Sequence, residues 1–398
     1  MSSKVPKLRF DGFGGEWEEK SLEKVSTFIN EKIKLSQVTI NDYISTENLL
    51  ADFNGTTKAS KLPNITNVTK FKINDVLISN IRPYLKKIWL ADINGGASND
   101  IIVIRVKEDS NYKFLLYIIE DDKFIDYVMQ GAKGVKMPRG DISLIKKYPL
   151  ALPKPKEQQK IANCLSSLDN LIESQNKKVN ALKKHKKGLM QNLFPKEGEK
   201  KPKLRFDGFS GEWEVKKLEE VVMYENGKAH EQDIQEIGKY IVVNSKFIST
   251  DGEVKKYTDT AFCLAKKDDV LMVLSDVPNG RAIAKCFLVD TNDFYTVNQR
   301  ICKISSSKVI STLLFYILNR NKYFLDFDDG VKQTNLKKDD VLSCLILLPK
   351  DKQEQQKIAN CLSSLDNLIE EQNKKIESLK KHKKGLMQGL FVNNEGKI

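Results

Sequence analysis

The sequence predicts an α+β protein: two mixed α/β domains in a pseudo-two-fold arrangement, separated by two long antiparallel coiled-coil helices. Three observations predict it. The chain is one plan written twice, each copy ends in a long segment with seven-residue apolar periodicity, and the blocks between the copies alternate strand-like and helix-like runs. Its 398 residues suffice for two or three domains with separate cores.

The opening segment PKLRFDGFGGEWEEKSLEKV at 6–25 returns as PKLRFDGFSGEWEVKKLEEV at 202–221, with 16 of 20 positions identical. The blocks that follow, 26–133 and 222–329, are each 108 residues long yet almost unrelated. A faint skeleton survives in them: Asp75-Val76-Leu77 answers Asp269-Val270-Leu271, FLLYII at 114–119 answers LLFYIL at 313–318, and Gly134-Val135-Lys136 answers Gly330-Val331-Lys332. Apolar patterning predicts strands near 73–79, 87–92 and 101–106 and a helix near 112–129 in the first block. In the second it predicts strands near 269–274, 283–289 and 299–304 and a helix near 309–325. Both blocks close on a short apolar strand ending in proline, YPLALP at 148–153 and LILLP at 345–349.

The closing segment EQQKIANCLSSLDNLIESQNKKVNALKKHKKGLMQNLF at 157–194 returns at 354–391 with 33 of 38 positions identical. Ile161, Leu168, Gln175, Leu182 and Leu189 form one seven-residue series, and Leu165, Ile172, Val179, Lys186 and Leu193 a second, offset by four; the second copy repeats both. These are coiled-coil seams on a helix of about 57 Å. Two identical half-plans in one chain pack most simply about a two-fold axis, which makes the helices antiparallel and sets Gln175 against Gln372 at mid-length. Asp351 followed by Glu354 is a capping arrangement. The runs KKHKKG at 183–188 and 380–385 fit a solvated or partner-facing helix surface, and also a phosphate-contacting stripe.

Lys and Arg number 66 against 53 Asp and Glu, a formal charge of +13, which implies a polyanionic partner. Nucleic acid is the first choice. An acidic membrane surface competes, but no apolar stretch approaches the roughly 20 residues of a spanning helix, and MSSKVPKLRF lacks the apolar core of a secretion signal; both point to the cytoplasm. The six cysteines form no C-x-x-C pair and the three histidines are scattered, so no metal site is expected; Cys164 and Cys361 read as small thiols packed in the helices.

DNA-binding candidates lie in two stretches of each block. SNIRPYLKK at 79–87 offers Asn80, Arg82, Lys86 and Lys87 around a proline turn, and LSDVPNGRAIAK at 274–285 offers Ser275, Asn279, Arg281 and Lys285. Arg and Lys match guanine edges and Asn or Gln match adenine, although any surface turn is polar. GAKGVKMPRG at 131–140 holds Lys133, Lys136 and Arg139; DDGVKQTNLKK at 328–338 holds Lys332, Gln333, Asn335 and Lys337. Glycine lets backbone approach phosphate, so the lysines suit phosphate contact and Arg139, Gln333 and Asn335 suit base reading. Asn99 and Asn298 read as strand-edge turn residues.

The RFDGFGGEWE and RFDGFSGEWE openings, the DVLISNIRP strand, the GVK loops and PxxxEQQKIANCLSSLD leading into a long helix together resemble the specificity subunit of type I restriction-modification systems over nearly the whole chain. The second block departs from the first around LSDVPNGR. The resemblance implies target-recognition domains at 1–153 and 203–350, spacer helices at 154–195 and 351–392, and a linker at 196–202. It further implies double-stranded DNA, two methyltransferase subunits and up to two restriction subunits as partners, with S-adenosylmethionine, ATP and Mg bound in those subunits rather than in this chain.

The residues agree with a non-catalytic role. The chain lacks an Asn-Pro-Pro-aromatic or Asp-Pro-Pro-aromatic tetrapeptide, as an adenine methyltransferase would carry, and a GxxxxGK[ST] loop. His185 and His382, flanked by lysines, lack the shaped pocket a general base needs. Two rivals stand beside this reading: a stand-alone DNA-modifying enzyme, and a basic coiled-coil scaffold that organises partners without reading sequence.

Overall fold

A computed structural model of the chain describes residues 4–392. Its contacts divide the chain into two compact units, residues up to 177 with those from 374 on, and residues 178–373. The division falls inside both long helices, Pro155–Leu193 and Lys352–Leu390. Each unit therefore uses the start of one helix and the end of the other.

In the first unit β1 (Ser26–Ile29), β2 (Val76–Ser79), β3 (Ile88–Leu90) and β4 (Ile101–Val106) form an antiparallel sheet in the order β1-β4-β2-β3. Strand alternation splits its side chains between two cores. Val76, Ile78, Ile102 and Ile104 pack with Trp17, Phe114 and Leu115, whereas Leu77, Ile101 and Val103 pack with Ile44, Phe71 and Ala97 of a second four-stranded sheet. Both faces are covered, which is why these strands read as unbroken apolar runs. Asp75 is 1% exposed. Its carboxylate accepts from the backbone N–H of Lys72 at 2.8 Å and takes both nitrogens of Arg105, shaping the turn that launches β2.

After β4 come α1 (Tyr112–Ile119) and α2 (Asp122–Gln130), where the periodicity predicts one helix. The break is local. Asp121 accepts from the N–H of Lys123 and so caps a new helix instead of continuing the old one. The chain then forms the strand Pro149–Leu152, antiparallel to Glu18–Ser21, and enters the long helix α3 (Pro155–Leu193) with proline at its first position.

The second unit repeats this plan. β5 (Met223–Asn226), β6 (Val270–Val273), β7 (Cys286–Leu288) and β8 (Ile301–Ser305) form an antiparallel sheet in the order β5-β8-β6-β7. Val270, Met272, Cys302 and Ile304 enter one core, and Leu271, Val273 and Ile301 the other. Asp269 accepts from the N–H of Lys266, as Asp75 does from Lys72. The predicted helix is again interrupted: α4 (Ser311–Leu318) stops before Arg320, which adopts φ 58°, and Asn321 caps the short helix Lys322–Leu325. α5 (Lys352–Leu390) follows, with Asp351 accepting from the N–H of Gln353 as an N-cap.

Glu354 is not the second half of a capping box. It is 1% exposed and accepts two nitrogens of Arg205, at 2.9 and 2.8 Å, and the indole N–H of Trp213 at 3.3 Å. Arg205 also donates to the carbonyls of Gly211 and Ser210. In the first unit Arg9 grips Glu157 at 2.9 Å on both oxygens and the carbonyls of Gly14 and Gly15, but the indole nitrogen of Trp17 is buried without a hydrogen-bond partner among the described residues. The next residue ties the helix to its domain. Gln158 donates to Pro153 O and accepts from Asn111 N, and Gln355 donates to Pro349 O and accepts from Ile310 N.

Farther along, each helix carries an aspartate bound by a tyrosine and a lysine. Asp169 accepts from Tyr117 Oη at 2.6 Å and from Lys383 Nζ at 2.6 Å, with the lysine 4.8 Å from the tyrosine ring centroid. Asp366 accepts from Tyr316 Oη at 2.6 Å and from Lys186 Nζ at 2.5 Å, with Lys186 4.9 Å over Tyr316. The two KKHKKG runs thus each turn one lysine inward, at a seam position. Within the first unit Asp169 lies opposite Lys383 while the earlier Ile161 and Leu165 share a cluster with the later Leu390, so the two segments run antiparallel. Asp366 with Lys186, and Ile358 and Leu362 with Leu193, give the same sense in the second unit. All positions of the two heptad series are buried or half-buried. The amide oxygens of Gln175 and Gln372 are buried without a hydrogen-bond partner among the described residues, and Cys164 and Cys361 are half-buried.

Two measurements check these anchors. Glu354→Ala leaves the Arg205 guanidinium without its counter-charge and is expected to cost the second unit roughly 3–5 kcal/mol in urea unfolding, most of it recovered when Glu354→Leu is combined with Arg205→Met. Burial raises the Glu120 carboxyl from 4.5 to about 7, with nearby Lys383 opposing the shift and Asp169 adding to it. A carboxyl with a raised folded pKa binds more protons folded than unfolded in that interval, so stability of the first unit should fall as pH rises from 4.5 to about 7. Glu120→Gln should flatten that slope in urea midpoints measured across pH.

Candidate nucleic-acid interface

In each unit the two candidate stretches meet at one end of the core sheet. Beyond β2 the chain continues through Asn80, Ile81 and Arg82, and the loop 131–140 folds back on it: Arg82 N donates to Pro138 O, Gly140 N donates to Asn80 O, and Ile81 faces Arg139. Lys133 and Arg139 exchange backbone hydrogen bonds at 2.9 Å, closing the loop as a hairpin. In the second unit Ser275-Asp276 pairs with Thr334-Asn335.

The side chains divide by what they already hold. Lys133 and Lys136 are exposed near the hairpin tip, where Gly134 has φ +101° and Val135 is fully exposed. Arg139 is exposed and ion-pairs with Asp100 at 3.0 Å. Arg82 adopts a left-handed backbone, and its buried Nε and the buried Asn80 Oδ1 have no hydrogen-bond partner among the described residues. Lys86 bonds Asp122 at 2.5 Å, which raises its pKa, and Lys87 donates to Thr46 O at 2.5 Å. The hairpin lysines are thus brought together with Arg139, whereas Lys86 and Lys87 are engaged on the flank.

On the second unit Gln333 donates to Ser275 Oγ at 2.7 Å and to Asn335 Oδ1 at 3.2 Å, joining three candidates in one network. Asn279, at φ 54°, donates to Gly330 O, while Arg281 and Lys332 are exposed. Lys337 is exposed and its backbone N–H donates to Asp340. Lys285 is held by Asp251 at 2.8 Å, behind the rim. The acidic residues here staple the loops. Asp276 accepts from the N–H groups of Ala282 and Ile283, Asp328 from Asn279 and Gly330, and Asp329 from Val331 and Lys332. The N–H groups of Lys332 and Val331 hold the Asp329 carboxyl below its ordinary range.

A cleft of about 400 Å³ opens beside this network, and Asn226, Gln299 and Arg300 line it with Ser275, Asn335 and Lys337. The first three are absent from the sequence candidates. Gln299 and Arg300 sit directly before an apolar strand and beside Asn298, a placement that marks them as strand-mouth residues once the strand is located. Asn226 carries no such signal, because β5 has a mixed, partly exposed pattern.

Residues 14–184 and 210–381 each match the family described as Type I restriction modification DNA specificity domain. The chain is similar to the Type I restriction enzyme MjaVIII specificity subunit of Methanocaldococcus jannaschii, 29% identical over 381 residues, covering 89% of this chain and 85% of that protein. It is also similar to the Putative type I restriction enzyme MjaX specificity subunit of the same organism, 27% identical over 296 residues, covering 72% and 68%. Among solved structures, the type I restriction-modification S subunit from M. genitalium superposes with a TM-score of 0.65 at 17% identity over 98% of this chain and 99% of that one. A chain from a type I R-M system solved for its complex assembly and conformational transition gives 0.52 at 18% identity, over 95% and 98%. At these identities the structures bear on the fold.

The rim depends on tight backbone approach. A Cβ at Gly280 would lie 2.1 Å from Asp276 Oδ2, the oxygen that holds Ala282 and Ile283. Gly280→Ala is therefore expected to cost about 1–3 kcal/mol and to speed amide exchange at Ala282 and Ile283 while leaving β6 protected.

Proposed function

This chain belongs to the type I restriction-modification DNA specificity family, with two specificity domains, and on that premise we propose that each unit reads one half of a split double-stranded DNA target. The observation that carries the proposal is the rim: an open, basic and amide-rich edge at the same place in both units, built on one scaffold and furnished with different side chains. That the rim residues differ between the units, Ile81 with Arg139 in one and Ser275 with Asn335 in the other, favours reading over a scaffold that organises partners without reading sequence.

In this reading residues 1–153 and 203–350 act as target-recognition domains, and the helices within 154–195 and 351–392 space them and dock two methyltransferase subunits, with the linker at 196–202. Lys133, Lys136, Lys332 and Lys337 neutralise phosphates, which fixes register without reading sequence. Arg139, Arg281, Ser275, Asn279, Gln333 and Asn335 face base edges, where Arg matches guanine and the amides match adenine. Asn80 and Arg82 shape the turn beneath them. Lys86 and Lys87 reach DNA by exchanging Asp122 and Thr46 for phosphate. The chain works in the cytoplasm without catalysing a reaction itself; S-adenosylmethionine, ATP and Mg serve the methyltransferase and restriction subunits. Among the described residues no helix is long and apolar enough to cross a membrane.

The test is an exchange. Residues 26–133 are replaced by the corresponding block of another family member, the chain is assembled with its methyltransferase subunits, and methylated adenines are mapped on genomic DNA. One half of the target should change while the other half and the gap persist. An unchanged motif would favour the scaffold, and transfer of labelled methyl groups by the chain without partners would favour a stand-alone enzyme.

A further inference from the structure

Strand register equates positions that the letters do not. Ser79 pairs with Ile101 in the first unit, and Val273 pairs with Ile301 in the second. One step beyond, Asn80 N donates to Asp100 O at 2.8 Å, and Leu274 N donates to Arg300 O at 2.9 Å. One step farther, Ile81 faces Arg139 and Ser275 faces Asn335. Three positions at the mouth of each core sheet therefore correspond: Ile81 with Ser275, Asp100 with Arg300, and Arg139 with Asn335.

Their chemistry differs between the units. In the first, arginine sits on the returning loop and is oriented by the carboxylate across from it, with Asp100 Oδ1 3.0 Å from Arg139 Nη2. In the second, arginine occupies the carboxylate's place. Arg300 is exposed and makes no hydrogen bond or ion pair through its side chain among the described residues, and it opens onto the cleft beside Asn226, Gln299 and Asn335. A phosphate contact calls for the same kind of hydrogen-bond donor in both units, because phosphate carries no sequence information, and a carboxylate is no such donor. A carboxylate and a guanidinium at corresponding places meet different demands. Lys337 and Lys338, on the same cleft, are placed for the phosphates.

We propose that Asp100 and Arg300 are corresponding specificity-determining positions, Arg300 reading a guanine directly in one half-site and Asp100 positioning Arg139 to read a guanine in the other. The guanidinium fork matches guanine O6 and N7 in the major groove, and an arginine held by a carboxylate is already oriented for that contact. This inference rests on the DNA-reading function proposed above.

The test uses the full chain assembled with its methyltransferase subunits, with methylation mapped on genomic DNA. Arg300→Gln, at an exposed position, should melt like the parent. It should lower preference for guanine roughly tenfold to hundredfold at one base of one half-site, in favour of adenine or no preference, and leave the other half-site intact. Asp100→Asn should relax one base of the opposite half-site. A uniform loss of affinity with an unchanged motif and a shallower salt dependence would make Arg300 a phosphate contact and overturn the assignment, as would an unchanged motif at unchanged affinity. If the parent complex methylates without any two-part motif, the DNA-reading function itself fails; if the parent motif is two-part and Arg300→Gln reproduces it, this inference alone fails.

Discussion

Each unit depends on a guanidinium and a carboxylate buried together at the start of a long helix. Arg9 with Glu157, and Arg205 with Glu354, join the opening segment to the helix that closes the same domain, more than 140 residues later. A carboxylate removed from water needs its charge matched and hydrogen-bonded, and the glycine-containing turn of RFDGFxGEW adds backbone carbonyl acceptors that hold the mostly buried guanidinium in place. The near-identity of these segments between halves follows from that constraint. A change in any one partner would strand the others.

From this joint outward the scaffold is fixed in stages. The glutamine beside each glutamate secures the ends of a strand and of a short helix, and the tyrosine-aspartate-lysine groups hold α1 and α4 against the long helices. One end of each core sheet is left to loops stapled by aspartates and by backbone pairing. Rigid elements thus present a rim whose side chains can differ without disturbing the support.

Much of this was legible in the letters. The repeats announced two similar domains, and apolar runs located β2, β4, β6 and β8 because strands buried on both faces carry a continuous signal. The helix breaks at Asp121 and Arg320 were hidden, since capping competes with an apolar pattern that runs on through it. The rim was legible by half. Loops rich in glycine and cations pointed to 131–140 and 328–338, but composition does not say which lysine is already spoken for, and Lys86, Lys87 and Lys285 bond within the fold. Gln299 and Arg300 escaped notice because their place at the rim comes from pairing across a sheet between residues distant in sequence. The inward turn of Lys186 and Lys383 was signalled by their place in a heptad seam, although the surrounding lysines disguised it.

The first unit is built from two separate stretches of chain, and this has a consequence for how the protein is made. Residues 178–373 are contiguous, so the second unit is complete once Asn373 has left the ribosome. The first begins earlier and finishes last, because Leu386, Met387, Leu390 and Phe391 cover the core that holds Trp17 and Phe114. Synthesis therefore completes the second unit before the first, and a chain released between Asn373 and Leu386 carries one finished sensor and one uncovered apolar surface, the mark by which a cell's proteases recognise an incomplete product.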